Sequence, residues 1–184
     1  MNLIFFGIQG SGKGTQAKLL AENLGYQIFE TGGELRKLAK EDSDLGKKVK
    51  ETIEAGHLVS SELVLEIVRN FIRKADKTKI IFDGIPRNQD QYQSFMGILN
   101  EFNLEYTAVH FKLEKEEALT RLFKRAEIER RADDNEESIK RRIDIFYNDT
   151  LPLIENFAQT NKLIEVDASP TIEEIYQDLS SRLQ

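Results

Sequence analysis

The hydrophobic pattern of this chain consists of short apolar runs separated by longer amphipathic segments. Four runs stand out, at residues 3–6, 80–82, 108–113 and 163–166. The first two contain no polar side chain, and the other two are mainly apolar. Because strands of a parallel sheet are buried on both faces, continuous apolar runs of this kind predict parallel strands.

Between these runs, apolar residues recur at the spacing of an amphipathic helix. The three clearest sets are Ala17, Leu20, Ala21 and Leu24; Leu63, Ile67, Val68 and Phe71; and Ile139, Ile143, Phe146 and Leu151. Asp133 followed by Glu136 resembles a capping box that opens the helix of the last set. Strands that alternate with helices predict an α/β fold with a parallel sheet.

Two segments fit this alternation less well. Residues 31–58 look helical and charged, with no obvious strand. Residues 124–134 form a short segment that is almost wholly polar. We expect both segments to be appendages of the sheet-containing core.

Composition narrows the class of protein. The chain has 184 residues, which suits one domain, and a net charge of −6. Because nucleic-acid binders need a basic surface, we expect no nucleic-acid partner and only a local positive site.

The sequence has no cysteine, which excludes disulfides and thiolate zinc sites and fits a reducing compartment such as the cytoplasm. With no signal-peptide pattern and no run of ~20 apolar residues, we expect no membrane partner.

Residues 7–15, GIQGSGKGT, follow a predicted strand and open a predicted helix, which is the context of a P-loop. Glycines in such a loop let backbone N–H groups surround phosphate oxygens, and the helix N-terminus favours negative charge. Lys13 would reach the β- and γ-phosphates, and Thr15 would place a hydroxyl near Mg²⁺. The usual pattern has Ser or Thr directly after Lys, whereas Gly14 intervenes here. The alternative, a glycine-rich turn with a chance lysine, is disfavoured by four glycines and these flanks. The candidate ATP-binding residues of the loop are Gly10, Ser11, Gly12, Lys13, Gly14 and Thr15.

Five separated segments extend this interpretation. In chain order they are GKGTQ at 12–16, TGGELR at 31–36, GHLV at 56–59, DGIPR at 83–87 with Gln91 beyond it, and RADDNEE at 131–137 with Arg142 beyond it. In order and spacing, these segments resemble the adenylate kinase family over nearly the whole chain. The short polar segment at 124–134 is similar to the short form of the lid in that family.

The resemblance implies a P-loop NTPase-type parallel sheet flanked by helices, with a small helical flap that binds the nucleoside monophosphate and a short lid. A single kinase domain would span residues 1–184. Its core would comprise residues 1–29, 60–123 and 135–184, with the flap at about 30–59 and the lid at about 124–134. The long lid of some members holds zinc through cysteines, so we expect no zinc site here.

The resemblance also implies roles for individual residues. Phosphoryl transfer needs positioned groups that neutralise charge, and the arginine fork matches phosphate oxygens. Arg121 and Arg125 would bind ATP, while Thr15 and Asp83 would organise Mg²⁺, the expected cofactor, through water. The implied AMP-binding residues are Thr31, Gly32, Arg36, His57, Leu58, Val59, Gly84, Arg87, Gln91, Arg131 and Arg142. The implied catalytic residues are Lys13, Arg87, Arg131, Arg142 and Asp133, the last of which would position the lid arginines.

Each residue also has a structural alternative. An arginine on a helix is commonly a solvated charge, Asp83 could simply cap a strand end, and Asp133 could be only a helix N-cap. The chain departs from the family pattern at Gln9, Glu30, Ile85 and Arg130. Glu30 brings negative charge near an anionic ligand. Arg130 stands where short lids usually have glycine, and we expect it to alter lid motion.

The function implied is direct transfer from MgATP to AMP, giving MgADP and ADP. The nearest alternative is a UMP/CMP kinase, although such enzymes tend to have Ala at the position of Thr31 and Asn at that of Gln91. A non-catalytic nucleotide-binding module would lose arginines of the transfer site, and a P-loop kinase for a small metabolite would not explain TGGELR and RADDNEE together. The family implies a cytoplasmic monomer whose partners are ATP, AMP and ADP.

Overall fold

Five parallel strands form one sheet in the computed structural model, which describes residues 1–129 and 134–183. The strands are β1 (Asn2–Gly7), β2 (Gln27–Glu30), β3 (Ile80–Asp83), β4 (Tyr106–Lys112) and β5 (Leu163–Asp167). Their order across the sheet is β2-β3-β1-β4-β5, and every neighbouring pair is parallel. The central position of β1 places the loop that follows it in the middle of one sheet edge.

Helices cover both faces of this sheet. They are α1 (Lys13–Leu24), α2 (Thr31–Leu38), α3 (Asp44–Glu54), α4 (Ser61–Lys74), α5 (Gln89–Glu101), α6 (Lys115–Glu129), α7 (Glu136–Ile145), α8 (Leu151–Gln159) and α9 (Ile172–Arg182), with a π-helix (Phe146–Thr150) between α7 and α8. Apolar residues of α1 and α9 pack on one face, and those of α4, α5 and α8 pack on the other. The predicted α/β fold, a parallel sheet flanked by helices, is therefore confirmed.

The central strand shows why its sequence is continuously apolar. Leu3 and Phe5 join the core on the α1 and α9 side, whereas Ile4 and Phe6 join the core on the opposite side. Side chains alternate across a strand, so a strand covered twice needs apolar residues at odd and even positions alike. Each buried side chain of this size stabilises the fold by about 1.5–3 kcal/mol.

The strand β2 is absent from the sequence-based prediction. Of its four residues only Phe29 is buried, so the segment shows no apolar run. Its place in the sheet depends instead on backbone pairing with β3, a strand about 50 residues later in the sequence. The next segment agrees with the prediction, because α2 and α3 occupy most of residues 31–58 and the structure gives that segment no strand.

The predicted last helix is interrupted. The apolar positions Phe146 and Leu151 lie five residues apart, and the π-helix occupies this interval between α7 and α8. The proposed capping box is wrong, because α7 begins after Asn135, whose side chain accepts a hydrogen bond from the backbone N–H of Ser138. Asp133 itself lies outside the described residues, as do Arg130 and Arg131.

Within residues 1–129 and 134–183, no helix is both long enough and apolar enough to cross a membrane.

Candidate active site

A cavity of about 650 Å³ lies at the carboxyl ends of β1 and β3. Ligands of open α/β sheets bind at this edge. Most of the described candidate residues line it. They come from the P-loop, from residues 31–59, which contain α2 and α3 and are called here the α2–α3 insertion, and from the β3–α5 loop, α5, α6 and α7. They are Gly10, Gly12, Lys13, Gly14, Thr15, Thr31, Gly32, Arg36, His57, Leu58, Val59, Asp83, Gly84, Arg87, Gln91, Arg121, Arg125 and Arg142. Ser11 is fully buried beneath the loop instead.

Three glycines with positive φ shape the P-loop, and the first of them is Gly7 with φ 148°. Gly10 has φ 88° and Gly12 has φ 84°. A Cβ atom on Gly10 would lie 2.7 Å from the carbonyl oxygen of Ala118 on α6, so a side chain there would push the loop away from that helix. Gly12 directly precedes α1, so the positive end of the α1 dipole faces the cavity. The arrangement suits an anion such as phosphate.

The ammonium group of Lys13 lies across this loop. Its Nζ donates to the carbonyl oxygens of Gly7 and Ile8, at 2.8 and 3.1 Å, and to the hydroxyl of Ser11 at 3.3 Å. Burial lowers the pKa of Lys13 from 10.5 to about 8; the charge of Asp83 opposes that shift, and the neighbouring Arg87 and Arg125 reinforce it.

Asp83 is a buried carboxylate at the end of β3. Burial raises its pKa, and the positive charge of Lys13 opposes this effect. The carboxylate also lies beside the start of α1, since a Cβ atom on Gly14 would be 3.9 Å from its Oδ2. Among the described residues no cluster of three or more His, Cys, Asp or Glu side chains could hold a metal ion. The oxygen donors Asp83 and Thr15 do fit Mg²⁺, which commonly uses one or two protein oxygens together with phosphates and water.

Arg87 is anchored by three hydrogen bonds. Its N–H donates to Oε1 of Gln91 at 2.8 Å, and its Nε donates to the carbonyl oxygen of Gly84 at 2.9 Å. The hydroxyl of Thr150 in the π-helix donates to the Arg87 carbonyl oxygen at 2.8 Å. Burial lowers the pKa of Arg87, and the nearby charge of Arg142 lowers it further. Thr150 was missed by sequence reasoning, because its only signal is a small polar residue within an apolar helix face.

A second missed residue is Asp134. Arg125 donates to both of its carboxylate oxygens, from Nε at 2.8 Å and from Nη2 at 2.7 Å, and Arg142 Nη1 lies 3.3 Å from Oδ1. The Asp134 side chain is completely buried. Sequence reasoning assigned the positioning of the lid arginines to Asp133; among the described residues, Asp134 makes such contacts.

Arg121 joins α6 to the turn after β5. Its guanidinium donates to the carbonyl oxygens of Ala168 and Ser169, at 2.9 and 3.2 Å, and pairs with Glu117 one turn away. Arg121 also lines the cavity.

On the opposite side of the cavity, two buried polar side chains lie in the region of the insertion and α5. Thr31 is 5% exposed, and its hydroxyl has no hydrogen-bond partner among residues 1–129 and 134–183. Gln91 is 2% exposed, and its amide oxygen already accepts from Arg87. Buried polar atoms without partners are rare, because they lose hydration without compensation. The Thr31 hydroxyl is therefore suited to bind a polar ligand.

The α2–α3 insertion begins with Thr31, and its C-terminal end packs against the start of α7. The carbonyl oxygen of Glu54 accepts from Asn135 Nδ2 at 3.2 Å, and that of Ala55 accepts from Arg141. Gly56, with φ 74°, lies against Ser138. These contacts hold the next residues, 57–59, at the cavity wall.

A P-loop at the end of a central parallel strand, facing a cavity with several arginines, defines a nucleotide-binding phosphotransferase. Comparisons with known proteins narrow the class: the sequence model of the adenylate kinase family matches residues 5–162. An adenylate kinase of Parabacteroides distasonis is 36% identical over 96% of this chain and 94% of its own length. Adenylate kinases of Thermus thermophilus and Prochlorococcus marinus are 35% and 38% identical, over 98% and 99% of this chain and 96% and 98% of their own lengths. The chain belongs to the adenylate kinase family and is a nucleoside monophosphate kinase.

Proposed function

We propose that the enzyme catalyses reversible, Mg²⁺-dependent phosphoryl transfer from ATP to AMP, giving two molecules of ADP. The observation that carries the proposal is the pair Thr31 and Gln91, two buried polar side chains that line the cavity. The names of the relatives support the same reaction. The family resemblance also supports a monomer that acts in the cytoplasm on free nucleotides.

The donor side of the cavity would bind ATP. Backbone N–H groups of the P-loop and the α1 dipole would hold the phosphate chain, with Lys13 neutralising the transferring end. Arg121 and Arg125 would contact the donor nucleotide from α6. Thr15 and Asp83 would hold Mg²⁺ through water, and the bound ion would neutralise charge on the phosphates.

The acceptor side would bind the monophosphate. Arg36 and Arg87 would take its phosphoryl group, and Arg142 would stabilise the charge that spreads over the transferring group. We propose that Arg131 and Asp133, which lie outside the described residues, complete this set from the lid. Because all of these groups act by position and charge, no phosphoenzyme is required.

The hydrogen-bonding pattern at Gln91 favours particular bases. Its amide oxygen accepts from Arg87, so its NH₂ is the group that would donate to a ligand, with the amide orientation assigned from that network. Adenine offers an acceptor nitrogen beside an amino group, and the Thr31 hydroxyl could accept from that amino group. Uracil and guanine have an N–H in place of the acceptor nitrogen. Cytosine repeats the adenine pattern on a smaller ring, which makes CMP the second candidate.

A coupled assay of ADP formation from MgATP, with AMP, CMP, UMP and GMP offered separately, tests the acceptor. For CMP, which repeats the hydrogen-bonding pattern of adenine on a smaller ring, we expect only a modestly lower kcat/KM than for AMP. We expect kcat/KM for AMP to exceed that for UMP by at least about tenfold, since uracil has no acceptor nitrogen for the NH₂ of Gln91. The double variant Thr31→Ala with Gln91→Asn should narrow this ratio. A preference for UMP or CMP would overturn the adenine assignment, and ATP binding without transfer to any acceptor would favour a non-catalytic module.

A further inference from the structure

The acceptor side of the cavity contains an acidic residue beside one of its arginines. Glu30 is the last residue of β2 and directly precedes α2, and its side chain lines the cavity. Its Oε1 lies 2.7 Å from Nη2 of Arg36, an arginine assigned above to the acceptor's phosphoryl group. The two side chains are 47% and 30% exposed, so both remain accessible to a ligand.

Charge around the cavity makes this carboxylate unusual. The described residues that line the cavity include lysines and arginines from several elements, but their carboxylates are limited to Asp83 and Glu30. The charges of Lys13 and Arg87 act on Asp83, and the negative charge of Glu30 contributes to its raised pKa. The field of Glu30 therefore reaches the centre of the site.

We propose that Glu30 is a counter-ion that the acceptor's phosphoryl group must displace from Arg36, and that it thereby sets the affinity for the nucleoside monophosphate. A carboxylate presents two oxygens to a guanidinium much as phosphate does, so the two compete for the same donor. After its displacement from Arg36, the Glu30 carboxylate would still lie close to the negatively charged phosphoryl group of the bound nucleotide. The inference rests on the proposed function.

The position of Glu30 supports displacement over permanent pairing. A Cβ atom on Gly33 would lie only 3.1 Å from Glu30 Oε2, so the carboxylate lies close to Gly33 in the first turn of α2. No side chain at residues 32 and 33 blocks its movement away from Arg36. Glu30 is more exposed than Arg36 and would be solvated once displaced.

Steady-state kinetics of Glu30→Gln against wild type tests the proposal. We expect the KM for AMP to fall roughly three- to tenfold, as for loss of a partly exposed competing ion pair, with the KM for MgATP changed less than about twofold. Glu34→Gln is the matched control, because it removes one carboxylate from α2, the helix that carries Arg36, and Glu34 pairs with Lys37 away from the cavity lining. It should leave both constants unchanged.

The outcomes separate the inference from the proposed function. If wild type turns over AMP and Glu30→Gln has an unchanged or raised KM for AMP, the counter-ion role is wrong; a raised value would show that Glu30 positions Arg36. If wild type prefers CMP, the same comparison with CMP decides, since the contact concerns the phosphoryl group and not the base. A wild-type enzyme that neither transfers to nor binds any of the four monophosphates, by calorimetry, would overturn both.

Discussion

At the scale of single residues, Asp134 contacts two of the arginines that line the cavity. Its buried carboxylate pairs with Arg125 of α6 and with Arg142 of α7, so two arginines on separate helices share one carboxylate. An ion pair of this kind is hard to break because each buried charge would be left uncompensated. We therefore expect Asp134 to position the arginines that we propose bind phosphate.

We predict that Asp134→Asn lowers the free energy of unfolding by about 1–3 kcal/mol and lowers kcat on the order of tenfold. The amide keeps the shape but loses the charge and one acceptor. Urea denaturation and steady-state assays check the two effects. Asp144→Asn, an exposed position on α7, is the control. A variant with reduced stability but full kcat would contradict the positioning role.

A second prediction concerns Lys13. Its pKa in the folded enzyme is about 8 instead of 10.5, so the ammonium loses its proton above about pH 8. The pH dependence of kcat/KM reports the pKa values of the free enzyme. We therefore expect kcat/KM for MgATP to fall about tenfold per pH unit above about pH 8. Bound phosphates favour the charged form, so kcat should decline only at higher pH. A kcat/KM that stays level to pH 9.5 would contradict the prediction.

The lowered pKa of Lys13 also affects stability: raising the pH should lower kcat/KM but raise the free energy of unfolding. Between about pH 8 and 10.5 the folded state holds fewer protons on Lys13 than the unfolded chain does. The contribution of Lys13 therefore makes the free energy of unfolding rise with pH in that window. Comparing wild type with Lys13→Met by urea denaturation at several pH values isolates this contribution.

Among the elements, the α2–α3 insertion is held to α7 at Gly56. An alanine there would be strained at φ 74°, and its Cβ would lie 2.8–2.9 Å from three atoms of Ser138. We predict that Gly56→Ala destabilises the fold by about 2–4 kcal/mol and raises the KM for AMP, because residues 57–59 follow directly. Urea denaturation and steady-state assays measure the two effects.

Gly25→Ala separates backbone strain from the clash. Gly25 has φ 73°, but a Cβ atom there would meet nothing within 4 Å. We expect this control to cost about 1–2 kcal/mol with an unchanged KM for AMP. Equal effects of the two substitutions on KM would show that docking on Ser138 does not position the cavity wall.

The elements also show which features the sequence reveals. The P-loop was predictable because its glycines, Lys13 and the flanking strand lie within a few residues of one another. β2 was not, because its place in the sheet depends on pairing with β3 and not on its own apolarity. For the same reason, the bond from Arg121 to the turn after β5 spans 47 residues and leaves no local pattern. Glu30 was recognised as a departure, but only the structure shows its contact with Arg36.

For the molecule as a whole, the cavity brings together cations from the P-loop, the insertion, the β3–α5 loop, α6 and α7. Burial lowers the pKa values of Lys13 and Arg87, which shows that their charged forms are less favourable in the folded protein than in water. Anionic ligands that neutralise them should therefore stabilise elements distant in the chain together. The expected stabilisation follows from linkage between binding and folding.

We predict that MgATP at 100 times its Kd raises the free energy of unfolding by about 2.7 kcal/mol, which corresponds to roughly 5–10 °C in Tm for a chain of this size. Adenosine at the same concentration should shift Tm by less than about 2 °C, because it offers no phosphate to the arginines and the P-loop. Thermal unfolding followed by circular dichroism measures both shifts. If adenosine stabilised the enzyme as much as MgATP does, the base would dominate binding and the clustered cations would not be the main source of affinity. A large shift with MgATP alone would instead show that the phosphate chain unites the P-loop with the arginines.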